Sequence, residues 1–137
     1  MRTAIDTNII SALWSREKMA REVSRWLEEA QRDGGLVIAA PVYVELLAHP
    51  QASEPFVNDF LADTGIAVDF ELQRPSCLEA ARRFASYANR RRESGEQSPK
   101  RLLVDFMIGS HALLCADRLL TLDPDRYRQD FPELKLG

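Results

Sequence analysis

Four short apolar runs, each bounded by turn residues and separated by helical patterns, constrain this chain more than any other feature. They are Thr3-Ala4-Ile5, Leu36-Val37-Ile38-Ala39-Ala40 after Gly34-Gly35, Ile66-Ala67-Val68 after Gly65, and Leu119-Leu120-Thr121-Leu122. Runs of this length and composition read as buried strands. Leu134-Lys135-Leu136 offers a fifth, at an edge. Between the runs, Ala20 to Ala30 places Val23, Trp26, Leu27 and Ala30 at helical spacing. Pro41 suits the first position of a helix over Val42 to Ala48 that stops before Pro50. Pro55 to Ala62 reads as a short helix, and Pro75 to Arg92 as a long one with Leu78, Ala81, Ala85 and Ala88 on one side. Val104 to Ala116 is apolar nearly all round and predicts a fully enclosed helix. Strands alternating with such helices predict a three-layer α/β/α domain around a parallel sheet of four to five strands.

The 137 residues, 45% hydrophobic and 28% charged, fit a single domain spanning 1–137. No apolar stretch approaches the roughly 20 residues that a bilayer requires, and Met1 to Asp6 lacks the apolar core of a secretory signal. Cys77 and Cys115 are the two thiols, both among apolar neighbours. They argue against a disulfide framework or a cysteine-rich zinc site and point to a reducing cytoplasm. The net charge of −3 argues against a general polyanion binder, but residues 71–101 carry +4 and the remainder −7. That stripe (Arg74, Arg82, Arg83, Arg90, Arg91, Arg92, Lys100 and Arg101) reads either as a solvated helix face or as a surface that steers a phosphate backbone.

Four of the 21 acidic residues sit in apolar company. Asp6 and Asp123 follow the first and last runs, Glu45 interrupts Val42-Tyr43-Val44-Glu45-Leu46-Leu47, and Asp105 interrupts Leu102-Leu103-Val104-Asp105-Phe106-Met107-Ile108. A carboxylate so placed is costly unless paired, hydrogen-bonded or bound to metal. Asp6 and Asp123 stand at strand-to-helix junctions, where an Asp N-cap contributes about 1 kcal/mol, and Asp105 could favour the first turn of its helix. Glu45 has no capping role, which leaves an ion pair with a buried Arg as its structural explanation. Taken together, the four can converge beyond the carboxyl ends of the strands, where open α/β sheets bind ligands. Two unit charges about 4 Å apart repel by about 4 kcal/mol at an effective dielectric of about 20. Ionised together, four carboxylates need a cation, and an all-oxygen set suits Mg²⁺ or Mn²⁺. Such an ion is apt for phosphodiester hydrolysis.

Ile5-Asp6-Thr7-Asn8, Pro41-Val42-Tyr43-Val44-Glu45-Leu46, Asp105-Phe106-Met107-Ile108-Gly109-Ser110-His111-Ala112, and Ala116 to Asp123 followed by Tyr127 and Phe131-Pro132-Glu133-Leu134 together resemble the PIN domain. Within that family the chain is most similar to VapC-type toxins of bacterial and archaeal toxin–antitoxin pairs, over its whole length. The resemblance implies a Mg²⁺-dependent endoribonuclease, with Mn²⁺ able to substitute. It assigns Asp6, Glu45, Asp105 and Asp123 as catalytic metal ligands, with Asn8 and Thr121 hydrogen-bonding to orient them. It also implies a small antitoxin partner covering the active-site groove and a homodimer. Arg82, Arg83, Arg90, Arg91, Arg92, Lys100 and Arg101 then become candidate RNA contacts. Gly109-Ser110 stands where many members carry Ala, which also permits close helix packing.

Other residues are weaker candidates. His111 reads as a satisfied core or near-site histidine, His49 as a helix C-terminal residue, and Trp14 and Trp26 as core or partner contacts. Asp117 suits a surface turn, and Asp125 could cap a helix after Pro124. A haloacid-dehalogenase-like phosphatase would need Asp-x-Asp-x-Thr where the chain has Asp6-Thr7-Asn8-Ile9-Ile10. A receiver domain would need Asp69 as phosphoacceptor together with an acidic pair that is absent near the first strand. The non-enzymatic alternative is a PIN-like RNA-binding or scaffold domain.

Overall fold

Thr3–Ile5 (β1), Leu36–Ala39 (β2), Ile66–Asp69 (β3) and Arg118–Leu120 (β4) pair in parallel in the order β3-β2-β1-β4. The computed structural model describes residues 1–96 and 102–137. Thr3 lies opposite Leu36 on one side and Arg118 on the other, so β1 is enclosed between β2 and β4. All four residues of β2 are buried, as the continuous apolar run requires of a strand covered on both faces. The expected fifth strand is reduced to one parallel bridge, Leu119 with Leu136, flanked by hydrogen bonds from Leu119 N–H to Lys135 and from Gly137 N–H to Leu119. A receiver fold is ruled out by this order, because there β1 would pair with β3.

Seven helices connect and cover the strands among the described residues: Thr7–Trp14 (α1), Ala20–Asp33 (α2), Ala40–Leu47 (α3), Glu54–Thr64 (α4), Arg74–Glu93 (α5), Leu103–Cys115 (α6) and Pro124–Arg128 (α7). Proline stands in the first turn of α3, α4, α5 and α7, where a missing N–H costs nothing. Ser53 caps α4 by accepting from Phe56 N–H at 3.3 Å, and Gly65 ends it in the left-handed conformation at φ 70°.

Two expectations about helix faces are corrected. Helix α5 does not bury Leu78, Ala81, Ala85 and Ala88; Leu78 is 58% exposed, and the inward side carries Ser76, Ala80 and Tyr87, with Phe84 half-buried. Aromatic rings remove far more apolar surface from water than alanine methyls, so Phe84 and Tyr87 set the orientation. Their ring centroids lie 5.2 and 5.5 Å from that of Phe106 on α6. Helix α6 is enclosed all round only in its middle, from Ile108 to Ala112, whereas towards its ends Leu103 and Leu114 are exposed.

The aromatic cluster continues from Phe106 to Phe131 at 5.8 Å and from Phe131 to Tyr127 at 6.2 Å, fixing the segment after β4 against α6. Gly109 makes this approach possible. A Cβ there would lie 2.6 Å from Phe131 Cε2, and the ring is fully buried. Alanine is therefore not equivalent at this position. Gly109→Ala should destabilise the protein by about 1–3 kcal/mol, measured by urea denaturation.

Beyond the ring cluster, Arg83 reaches from α5 to Glu133 through two hydrogen bonds of 3.1 and 2.6 Å, and to Glu79 at 2.8 Å. The guanidinium holds the Glu133 carboxyl at about 2, well below its ordinary 4.5. A depressed carboxylate stabilises the fold above its unfolded-state value and loses that contribution as pH falls. Glu133 is half-exposed, so Glu133→Gln should cost at most about 1 kcal/mol at neutral pH. In acid titrations of stability, the difference from wild type should vanish as pH falls from about 4.5 towards about 2.

Candidate functional site

Strand order reverses between β1 and β4, and the residues following these two strands meet at that switch point. Asp6 follows β1 and is the N-cap of α1, its Oδ1 accepting from Thr7 N–H at 2.8 Å. Its Oδ2 accepts from the Thr121 hydroxyl at 2.8 Å and the Tyr127 hydroxyl at 2.9 Å. One carboxylate oxygen thus caps α1, and the other accepts from the segment that follows β4.

Thr121 is saturated: it donates to Asp6 and accepts from Asn8 Nδ2 at 3.3 Å and Asp123 N–H at 3.1 Å. Asn8 Oδ1 in turn accepts from Leu122 N–H at 3.1 Å. Asn8 and Thr121 therefore tie the segment after β4 to the start of α1. The turn made by Thr121 also corrects the expected strand end. β4 stops at Leu120, and Asp123 sits beyond the turn at the head of α7, where its side chain makes no capping bond.

Glu45 lies on the second turn of α3 and accepts from the Thr7 hydroxyl at 2.6 Å. Asp105 is in the first turn of α6 and is buried. Arg126 of α7 stands between two of the acids, with Nη1 3.5 Å from Asp105 Oδ1 and Nε 3.3 Å from Asp123 Oδ2. Burial pushes the Asp6 carboxyl above its ordinary range against the pull of Thr121, Tyr127 and Thr7, and the Asp105 charge adds to the rise. Burial also raises Glu45, reinforced by the charges of Asp6 and Asp105 and opposed by Thr7 and Arg126. Asp6, Glu45 and Asp105, from three separate segments, thus act on one another's charge, and Asp123 joins them through Arg126 rather than directly. Beside Glu45 a groove of about 370 Å³ is lined by Pro41, Val44, Leu72, Val104 and Met107, giving the site an apolar flank.

The PIN domain family model matches residues 3–132. The chain belongs to the PIN domain family. Several solved structures share its architecture. VapBC-1 from nontypeable Haemophilus influenzae is 24% identical, with a TM-score of 0.66, covering 100% of this chain and 97% of that one. VapBC2 from Rickettsia felis, bound to a DNA fragment from its promoter, is 18% identical with a TM-score of 0.66 and coverage of 100% and 98%. FitAcB from Neisseria gonorrhoeae is 17% identical with a TM-score of 0.59 and coverage of 98% and 95%. At these identities the likeness establishes the fold. No curated protein sequence matches the chain.

The basic stretch of this PIN domain is largely neutralised by its own acids. Arg82 and Arg83 pair with Glu79, Arg83 also with Glu133, Arg90 with Asp130 and Arg91 with Glu96, while Arg92 donates to Asn89. Arg83 is 16% exposed and fully engaged, whereas Arg82 remains 66% exposed. Lys100 and Arg101 lie outside the described residues. No helix among the described residues is long and apolar enough to cross a membrane.

Thr7, Arg126 and Tyr127 are members of the site that the sequence did not single out. Asp125 pairs with Arg128 on α7, and Asp117 accepts from Arg2 N–H, so both stand apart from the carboxylates. Replacing Thr121 by Val should leave Asn8 Nδ2 and Asp123 N–H without their acceptor and remove one of the three donors to Asp6. A loss of about 1–3 kcal/mol is expected in metal-free urea denaturation.

Proposed function

We propose that this chain, as one PIN domain over residues 1–137, is a divalent-metal-dependent endoribonuclease and the toxin of a VapBC-type toxin–antitoxin pair acting in the cytoplasm. The observation that supports this reading is the mutual influence of Asp6, Glu45 and Asp105 beside the β1/β4 switch point, with Asp123 linked to Asp105 through Arg126 and with Asp6 and Glu45 both pushed towards protonation. All donors are carboxylate oxygens, and Arg126 is their one cationic partner among the described residues. This set fits Mg²⁺ or Mn²⁺, hard cations that keep several waters. The bound ion would supply a water of lowered pKa and stabilise charge on the scissile phosphate.

The protein's part is orientation. Thr7 holds Glu45, while Thr121 and Tyr127 hold Asp6, so two carboxylates from different segments are fixed before substrate arrives. Asn8 restrains the main chain at Leu122, beside Asp123. Arg126, at 42% side-chain exposure, can leave the acids when a cation replaces it and pair with an RNA phosphate. Arg82, Arg90, Arg91 and Arg92, with Lys100 and Arg101, supply the proposed RNA-contacting surface, and Arg83 serves chiefly to hold α5 to Glu133. The apolar flank beside Glu45 suits a small antitoxin that covers the groove, and the proposed assembly is a homodimer.

Cleavage of RNA with added Mn²⁺ tests the reading. Wild type should cut internally, and Asp6→Asn or Asp105→Asn should reduce the rate at least about a hundredfold, beyond the loss usual for residues that only orient ligands. In Asp6→Asn the amide oxygen can still accept from Thr7 N–H, so circular dichroism should show an intact fold. At about a hundredfold excess over Kd, Mn²⁺ should stabilise wild type by about 2.7 kcal/mol and the variants by much less. Undiminished cleavage by both variants would overturn the assignment, and metal binding without any cleavage would favour the RNA-binding alternative.

A further inference from the structure

A second group of ligand-type side chains lies away from the four carboxylates, between the edge strand β3 and helix α6. Asp69 ends β3, and His111 and Cys115 are four residues apart on α6, hence on one helix face. A carboxylate oxygen, an imidazole nitrogen and the thiol sulfur all lie within 4.8 Å of one another. His111 Nε2 is 3.0 Å from Asp69 Oδ2, and Ser76 Oγ is 3.9 Å from Cys115 Sγ.

An ordinary buried histidine satisfies both ring nitrogens. His111 is 1% exposed, yet its Nδ1 has no hydrogen-bond partner among the described residues. The imidazole is therefore only half-satisfied, against the expectation of a satisfied core histidine, and a buried polar atom left so is costly. Asp69 also accepts from Glu71 N–H at 3.2 Å, through its other carboxylate oxygen. Its side chain is 24% exposed, which leaves the cluster open to solvent on the Asp69 side.

We propose that Asp69, His111 and Cys115 form a second metal site, selective for a borderline-soft divalent cation of the zinc class. Nitrogen, sulfur and one carboxylate oxygen are the donors that such an ion takes, and three protein ligands leave a fourth position for water. Cys115 binds as thiolate, its proton passing to solvent. One carboxylate and one thiolate neutralise the divalent charge. The two sites divide by chemistry: Mg²⁺ has little affinity for thiolate, and the all-oxygen cluster offers no soft donor. The ion would bind the end of β3 to α6, a tie between an edge strand and the helix that carries Asp105 at its other end.

The test is Co²⁺ binding to the reduced, chelator-washed full chain in excess Mg²⁺, which occupies the oxygen cluster. One equivalent of Co²⁺ should produce a near-ultraviolet thiolate-to-cobalt charge-transfer band, and Zn²⁺ should displace it. Cys115→Ser should abolish the band and Cys77→Ser should retain it. Asp69→Asn, at a partly exposed strand end where folding is not at stake, should weaken Co²⁺ binding at least about tenfold. Absence of the band at saturating Co²⁺, its survival in Cys115→Ser, or an unchanged affinity in Asp69→Asn would each overturn the proposal. None of these readouts depends on RNA cleavage, so the fate of the nuclease reading does not decide this one.

Discussion

The hydrogen bond from Thr121 to Asp6 joins residues 115 positions apart in the chain, and the rest of the site depends on it. Parallel strands β1 and β4 are aligned by their ladder, but the ladder ends at Ile5 and Leu120. One further main-chain bond, from Asp6 N–H to the Leu120 carbonyl at 3.0 Å, closes the ladder, and beyond it side chains take over. Thr121 does so with every hydrogen-bonding position of its hydroxyl, and Asn8 extends the link by one residue. A hydroxyl saturated in this way has one orientation, which fixes Asp6 Oδ2 and the turn leading to Asp123 together. Tyr127 makes the same carboxylate oxygen the meeting point of the aromatic cluster, so packing around Phe106 and Phe131 reaches the acids through one phenol.

The sheet and the acids are legible in the sequence for related reasons. A parallel sheet covered on both faces needs continuous apolar runs, and Leu36 to Ala39 shows one without interruption. Asp6, Glu45 and Asp105 stand out because the residues around them are those of a core, where an anion demands an explanation. The same contrast hides the rest. Thr7, Arg126 and Tyr127 occur in polar or mixed surroundings, where hydroxyls and guanidinium groups are ordinary. Their partners lie 38, 21 and 121 residues away, distances at which local pattern carries no information. The face of α5 is misleading in the sequence because Leu78, Ala81, Ala85 and Ala88 recur at helical spacing just as Ser76, Ala80, Phe84 and Tyr87 do, and periodicity alone does not choose between the two stripes. Asp69 and His111 are each visible, but nothing local pairs a strand end with a helix 42 residues later.

Charge counted along the chain also differs from charge arranged in space. Residues 71–101 carry a local excess of +4, yet Glu133 and Asp130, from beyond that window, return to neutralise Arg83 and Arg90. A basic helix in the sequence becomes a belt of ion pairs in the fold. Arg82 and Arg90 keep 66% and 42% of their side chains in solvent, which screens their pairs. Arg83 differs, since its guanidinium is enclosed by two carboxylates, the Asp130 carbonyl and the face of Phe131. It anchors the C-terminal segment on which Tyr127 is carried.

Arg126 gives the acidic pocket a cation that is part of the polypeptide itself. Many small proteins that gather anionic ligands collapse only once their ion arrives, so their stability tracks metal supply. Here the guanidinium acts as a tethered placeholder, close enough to Asp105 and Asp123 to offset their repulsion and exposed enough to withdraw. On the proposed metal-dependent reading, a newly made chain would reach its native shape without an ion, and an arriving ion would displace the chain's own side chain.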